Sequence, residues 1–171
     1  MALQLKKLDI SMKNALDTFI ADWKEEEIIP STINKYEGDI QQFVDYLHMM
    51  ETDPPRLLVP GTLFFLTDGE EILGACEIRH FLNSGLLKYG GHMGYGVAPK
   101  HRGHGYAAKM IELAMPFMKE TGIEMCLITC VEENIASAKS ILNAGGVLEN
   151  EVEIIRNGVP KIGQRYWVDV K

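Results

Sequence analysis

The stretch APKHRGHGYAAKM, Ala98 to Met110, gathers two lysines, one arginine and two histidines around two glycines. The chain around it is acidic, with a formal net charge of -7. Gly91 to Val97 reads as a strand, which Pro99 breaks, and helical spacing resumes at Tyr106, Ala107, Met110 and Ile111. The basic residues therefore fall in the turn between a strand and the first turn of a helix. Backbone N–H groups there have no partner within the helix, and the helix dipole adds partial positive charge. Glycine lets a bulky anion approach that backbone, and Arg102 and Lys100 add full charges. A phosphate or pyrophosphate is the ligand this arrangement fits. A tight turn with solvated basic side chains is the plainer alternative.

Length and composition bound what surrounds the loop. The 171 residues, 46% of them hydrophobic, suit one domain with a sizeable core, taken as residues 1–171. The net acidity excludes a general nucleic-acid binder, which needs a broad basic face. No stretch is apolar and long enough for a bilayer, and the first residues lack the apolar run of a signal peptide. No membrane partner is expected, and cytoplasm is the expected compartment. Cys76, Cys126 and Cys130 form no close pair and read as small core hydrophobes.

Helical spacing appears twice early, at Met12, Leu16, Phe19, Ile20 and Trp23 and at Ile40, Phe43, Val44 and Leu47. Thr62–Leu66 and Ile72–Ile78 follow as strands joined by a hairpin at Asp68-Gly69. After the loop strand and its helix, in which Pro116 predicts a kink or a last turn, Met125–Cys130 reads as a buried strand. Asn134 is placed to cap a helix ended by Gly145-Gly146, and two strands, Val147–Ile155 and Ile162–Val170, close the chain. The order predicts a mixed α/β domain, hairpin-rich first and then built of strand–helix–strand crossovers.

Known phosphate motifs narrow the reading of the loop. A P-loop needs Gly-Lys-Ser/Thr, which is absent. Gly103-His104-Gly105-Tyr106-Ala107-Ala108 follows a dinucleotide fingerprint only loosely, so NAD or ATP binding remains a weak alternative. Arg102-Gly103-His104-Gly105-Tyr106-Ala107 instead resembles the Arg/Gln-x-x-Gly-x-Gly/Ala pattern of the GNAT superfamily of N-acetyltransferases. The resemblance runs from Tyr95-Gly96-Val97 through the loop and Cys126–Cys130 to Asn134 and Gly145-Gly146. It extends to the stretch IRHFLNSGLLKYGGHMGYGV, which is similar to a bacterial subgroup of such enzymes.

The resemblance implies an α+β fold, a mostly antiparallel central sheet flanked by helices, with strands splayed at the cofactor site. It implies acetyl-CoA as co-substrate and direct acetyl transfer to a primary amine, on a small molecule or a protein. By the same resemblance, the backbone of Tyr95, Gly96 and Val97 pairs with the pantetheine arm. Arg102, Gly103, His104, Gly105, Tyr106, Ala107 and Ala108 hold the pyrophosphate, and Asn134 contacts the cofactor arm. An acceptor lies across the sheet, and a homodimer through the terminal hairpin is an analogy with relatives.

The chain departs from the pattern where relatives carry proton-transfer groups. Ile141 stands where many have a tyrosine acid, and Thr129 where some have a glutamate base. A non-catalytic acyl-CoA-binding or sensing module is therefore the second reading. Glu77, inside an apolar strand, is the candidate base, with its plain alternative an exposed strand face, and Asn134 is the other catalytic candidate. His80 and His92 are further proton acceptors, and Ser137 and Ser140 are the hydroxyls nearest the missing tyrosine. His92, His101 and His104 lack the acidic partner and helical spacing of a metal site, so no metal is expected.

Overall fold

A computed structural model describes residues 2–171. The chain runs β1 (Leu3–Lys6), α1 (Lys13–Asp22), α2 (Ile40–Thr52), β2 (Gly61–Asp68), β3 (Glu71–Arg79), α3 (Ser84–Lys88) and β4 (Met93–Val97). It continues through α4 (Tyr106–Glu120), β5 (Met125–Val131), α5 (Ile135–Asn143), β6 (Val147–Arg156) and β7 (Val159–Asp169). Two antiparallel sheets result, ordered β1-β2-β3-β4 and β5-β7-β6.

Strand alternation sends neighbouring residues of β3 to two cores. Cys76 and Ile78 pack with Met110, Ile111, Ala114 and Met118 of α4 and with Cys126 and Ile128 of β5. Ile72 and Ala75 join Leu16, Phe19 and Trp23 beside α1 and Phe43 of α2. β3 is thus apolar on both faces because helices cover both. All three cysteines are free and buried, as their apolar setting suggested.

Several boundaries differ from the sequence reading. The first hairpin turns at Gly69-Glu70, since Asp68 pairs with Glu71, and Gly69 takes a positive φ of 62°. β1 and α3 were not foreseen: the first is four residues long and the second five, below the length at which periodicity registers. Pro116 lies inside α4, one turn before its end at Glu120, with Ala114 and Met118 fully buried around it. Asn157-Gly158, both at positive φ, make a two-residue turn, so β6 runs on to Arg156 and β7 begins at Val159 rather than Ile162. The chain's last ladder therefore leaves β6 with a free outer edge that carries Glu149, Glu151 and Glu153.

The two sheets meet at the start of β4. The His92 N–H donates to the Leu127 carbonyl at 2.8 Å, and the Leu127 N–H donates to His92 Nδ1 at 2.9 Å. Gly91 lies so close to this junction that a Cβ would sit 2.3 Å from the Leu127 carbonyl oxygen. Beyond it β4 and β5 share no ladder and belong to different sheets. His92 accepts at Nδ1, so its ring is neutral with its proton on Nε2. Burial first, and the Arg79 guanidinium second, push its pKa down to about 4.

His92→Phe removes the acceptor of a buried N–H and is expected to destabilise the protein by about 1–3 kcal/mol at pH 7. In the wild type the unfolded chain takes up the histidine proton first as pH falls from 6.5 toward about 4. The His92 contribution is then complete above 6.5 and declines through that window. Urea unfolding at pH 7 and pH 4.5 should show the gap between wild type and variant narrowing at the lower pH.

Candidate functional site

The glycine-rich loop crosses from β4 to α4 in the left-handed backbone region twice, with Gly103 at φ 83° and Gly105 at φ 76°. Neither would bring a Cβ against a neighbour, so conformation rather than space requires glycine there. The first bond of α4 is Lys109 N–H to the Gly105 carbonyl at 3.1 Å. The six N–H groups from Gly103 to Ala108 find no acceptor among the described residues. Such a row of donors, at the N-terminus of a fifteen-residue helix, can receive an anion.

The basic side chains of the loop are already engaged. Lys100 Nζ and His101 Nε2 both lie 3.0 Å from Glu71 Oε1. Arg102 donates to Glu26 at 2.7 Å and from Nε to the Val97 carbonyl at 3.3 Å, with its guanidinium 5.4 Å from the Trp23 ring centroid. His104 Nδ1 sits 3.0 Å from the His101 carbonyl and its ring stacks on Tyr106. The loop's charge is thus largely neutralised within the protein, which leaves the backbone donors as its free resource.

Where β4 and β5 part, the side chain of Tyr95 spans the space. Its hydroxyl lies 2.8 Å from Ser137 Oγ on α5, and burial pushes its pKa up to about 12. Cys130 Sγ is 3.8 Å from Gln164 Oε1, and burial raises its thiol pKa while the neighbouring Ser137 acts in the opposite sense. Asn134 caps α5, its Oδ1 accepting the Ser137 N–H at 3.1 Å, which leaves its amide NH2 uncommitted. Tyr95, Asn134, Ser137 and Cys130 are thereby brought together, a cluster whose members come from β4, β5 and the head of α5.

The two departures from the family pattern have structural employment. Ile141 is fully buried, and a Cβ on Gly146 would lie 2.5 Å from its Cγ2. Gly146 and Gly145 donate to the Ile141 and Leu142 carbonyls in a Schellman ending of α5. Thr129 Oγ1 accepts the Gly90 N–H at 3.0 Å and helps fix the junction below β4.

Glu77 points to the opposite face, under α1 and α2. It is half-buried, pairs across the ladder with Gly94, and accepts a hydrogen bond from Thr32 Oγ1 at 2.9 Å. A Cβ on Gly94 would meet nothing within 4 Å, so space opens directly beside this carboxylate. Tyr46 of α2 stands near enough for Glu77 to raise its pKa, after burial. Gly96, two residues on, is covered instead: a Cβ there would lie 2.3 Å from the Ile29 carbonyl oxygen.

His80, the other proton acceptor considered, lies 2.8 Å from Thr62 Oγ1 through Nε2; next to it in sequence, Arg79 donates to the Gly90 and Gly91 carbonyls, and Asn83 caps α3. Ser140 donates back to the Ala136 carbonyl and stands apart from the Tyr95 cluster. No group of three His, Cys, Asp or Glu among the described residues converges as metal ligands. The segment after α1 was missed as a site element. Its Glu26 and Glu27 reach Arg102 and, at 3.9 Å, Arg156, and only their long sequence separation hid this.

Residues 12–147 match the family model of the acetyltransferase (GNAT) domain. No curated protein matches the chain significantly in sequence. The solved ribosomal-protein-S5-alanine acetyltransferase from Vibrio fischeri is similar at a TM-score of 0.73 and 15% identity, over 100% of this chain and 94% of that one. RimL, a ribosomal L7/L12 alpha-N-protein acetyltransferase solved with coenzyme A, gives 0.72 and 16% over 99% and 95%. MccE, a microcin C7 self-immunity acetyltransferase solved with acetyl-CoA and AMP, gives 0.69 and 17% over 98% and 92%. At these identities the likeness is one of fold, and it includes the mixed architecture of antiparallel sheets flanked by helices.

If the amides carry the anion, backbone geometry should matter more than loop charge. Gly105→Ala, which forces a side chain into a left-handed conformation costing about 1–2 kcal/mol, should weaken CoA binding by roughly 5- to 30-fold. Lys100→Ala, which removes a cation already held by Glu71, should change it by less than about three-fold. Isothermal titration calorimetry of both variants checks the ranking.

Proposed function

The chain belongs to the GNAT family of acetyltransferases, and on that premise we propose that residues 1–171 form one domain that moves an acetyl group from acetyl-CoA directly to a primary amine. The observation that carries this reading is the row of free N–H groups from Gly103 to Ala108, set beside the gap between β4 and β5. These donors fit a pyrophosphate, and Arg102 is the nearby cation. The outer edge of β4 at Tyr95, Gly96 and Val97 can pair with an extended amide-bearing arm as a strand would. Asn134 has its amide NH2 free to donate to that arm. Acetyl-CoA supplies the acetyl thioester.

Glu77 is the base in this reading. Its carboxylate borders the open space at Gly94, on the face away from α4 and α5, and Thr32 fixes its orientation. It takes a proton from the acceptor's ammonium, which leaves the neutral amine to attack the thioester carbonyl. On the other face the Tyr95 hydroxyl lies 2.8 Å from Ser137 Oγ, where either group can donate; with Tyr95 as donor, the Ser137 hydrogen is free to point outward. The pair keeps its protons at neutral pH and can donate a hydrogen bond to a departing thiolate. This assignment replaces the tyrosine of relatives by a serine backed by a tyrosine.

The structural employment of Ile141 and Thr129 keeps a non-catalytic acyl-CoA-binding module as the second reading. Both are decided by CoA release from acetyl-CoA over an amine panel. Peptide α-amines belong in that panel, because two of the similar structures are named for acceptors on ribosomal proteins. Release that requires an added amine supports the enzyme; tight CoA binding with no release on any amine supports the module.

Given an active amine, Glu77→Gln should lower kcat/KM roughly 100- to 10,000-fold, the usual range for a lost general base, with CoA affinity within about two-fold. Ser137→Ala should lower kcat roughly ten- to hundred-fold, with water supplying part of the lost donation. Steady-state kinetics beside calorimetry separates these effects from a folding defect.

A further inference from the structure

The segment from Lys24 to Ile29 is tethered at three points. Glu26 accepts from Arg102 at 2.7 Å, Glu27 lies 3.9 Å from Arg156 at the end of β6, and the Ile29 carbonyl is packed on Gly96. The carboxylate that satisfies the loop arginine therefore belongs to the segment that covers the acceptor face of β4. The Glu26–Arg102 pair is also open to solvent, with side chains 54% and 47% exposed. An exposed pair of this kind contributes little and exchanges partners readily, where a buried one would lock.

We propose that Glu26 is a positioning residue coupling the two substrates: it holds Arg102 in competition with the pyrophosphate of CoA, so that cofactor binding releases residues 24–29 over the acceptor face. The inference rests on the CoA reading given above. A guanidinium offers five N–H groups in one rigid fork, and Arg102 already spends Nε on Val97. Turning the remaining donors to a phosphate outside the fork's present plane costs the contact with Glu26. A pyrophosphate carries more charge and more acceptor oxygens than one carboxylate, so the exchange runs toward the cofactor. By linkage, an amine that binds the released segment must in turn favour the cofactor-bound form.

The test uses the full chain, titrated with CoA and with acetyl-pantetheine, which lacks the pyrophosphate. Glu26→Gln should tighten CoA about two- to five-fold, the worth of an exposed ion pair, and leave acetyl-pantetheine unchanged. Glu25→Gln removes the same charge one residue away, from a side chain with no contact to Arg102, and should shift CoA affinity less than half as much. Amide hydrogen exchange over residues 24–29 should rise in the wild type when CoA is added, and should already be high in Glu26→Gln. Equal effects of the two variants, weaker CoA binding by Glu26→Gln, or exchange indifferent to CoA would each overturn the coupling while leaving the CoA reading intact. A folded wild type that binds no CoA overturns both.

Discussion

The hydrogen bonds that His92 makes to Leu127, one from its backbone and one to its ring, determine where β4 and β5 part. Everything at the candidate site follows from that junction. Below it, Gly90, Gly91 and Thr129 lock the strands together, with no room for a side chain at Gly91. Above it, β4 keeps β3 as its sole ladder partner and exposes its other edge to a gap. A neutral imidazole suits this position because it accepts the Leu127 N–H without bringing charge into the core. Protonation would convert the acceptor into a donor facing another donor.

The glycine-basic stretch could be read from sequence because its geometry is local. Two glycines, a strand before and a helix after suffice to place unpaired N–H groups, and the structure adds that the surrounding cations are spoken for by Glu71 and Glu26. The longer helices and the buried strand of β5 were equally legible, since their periodicity spans enough residues. β1 and α3 were too short, and the hairpin at Gly69-Glu70 slipped by one because Asp68-Gly69 is itself a favoured turn pair.

The groups proposed for proton transfer could not be read in the same way. Glu77 meets Thr32 across 45 positions of sequence, and Tyr95 meets Ser137 across 42. No spacing rule connects residues that only the packing of two sheets brings together. Sequence could supply Glu77 as an oddity among apolar neighbours and Ser137 as a nearby hydroxyl, yet it offered no sign that Tyr95 backs the serine. It also gave no hint that Thr129 and Ile141 are held in place by structural duties, one beneath the strand junction and one at the end of α5.

The free outer edge of β6 has a bearing on solubility. A ten-residue strand with unpaired N–H and C=O groups invites another strand to add to it, and exposed Val147, Leu148 and Ile155 would make such a stack adhesive. Glu151 and Glu153 lie on one face of that edge, so an antiparallel copy of the same strand brings carboxylates against carboxylates. Like charges in opposed positions destabilise a ladder. The same strand that leaves the hairpin open therefore discourages runaway sheet growth, and any chain that does pair with it should bring lysine or arginine to those positions.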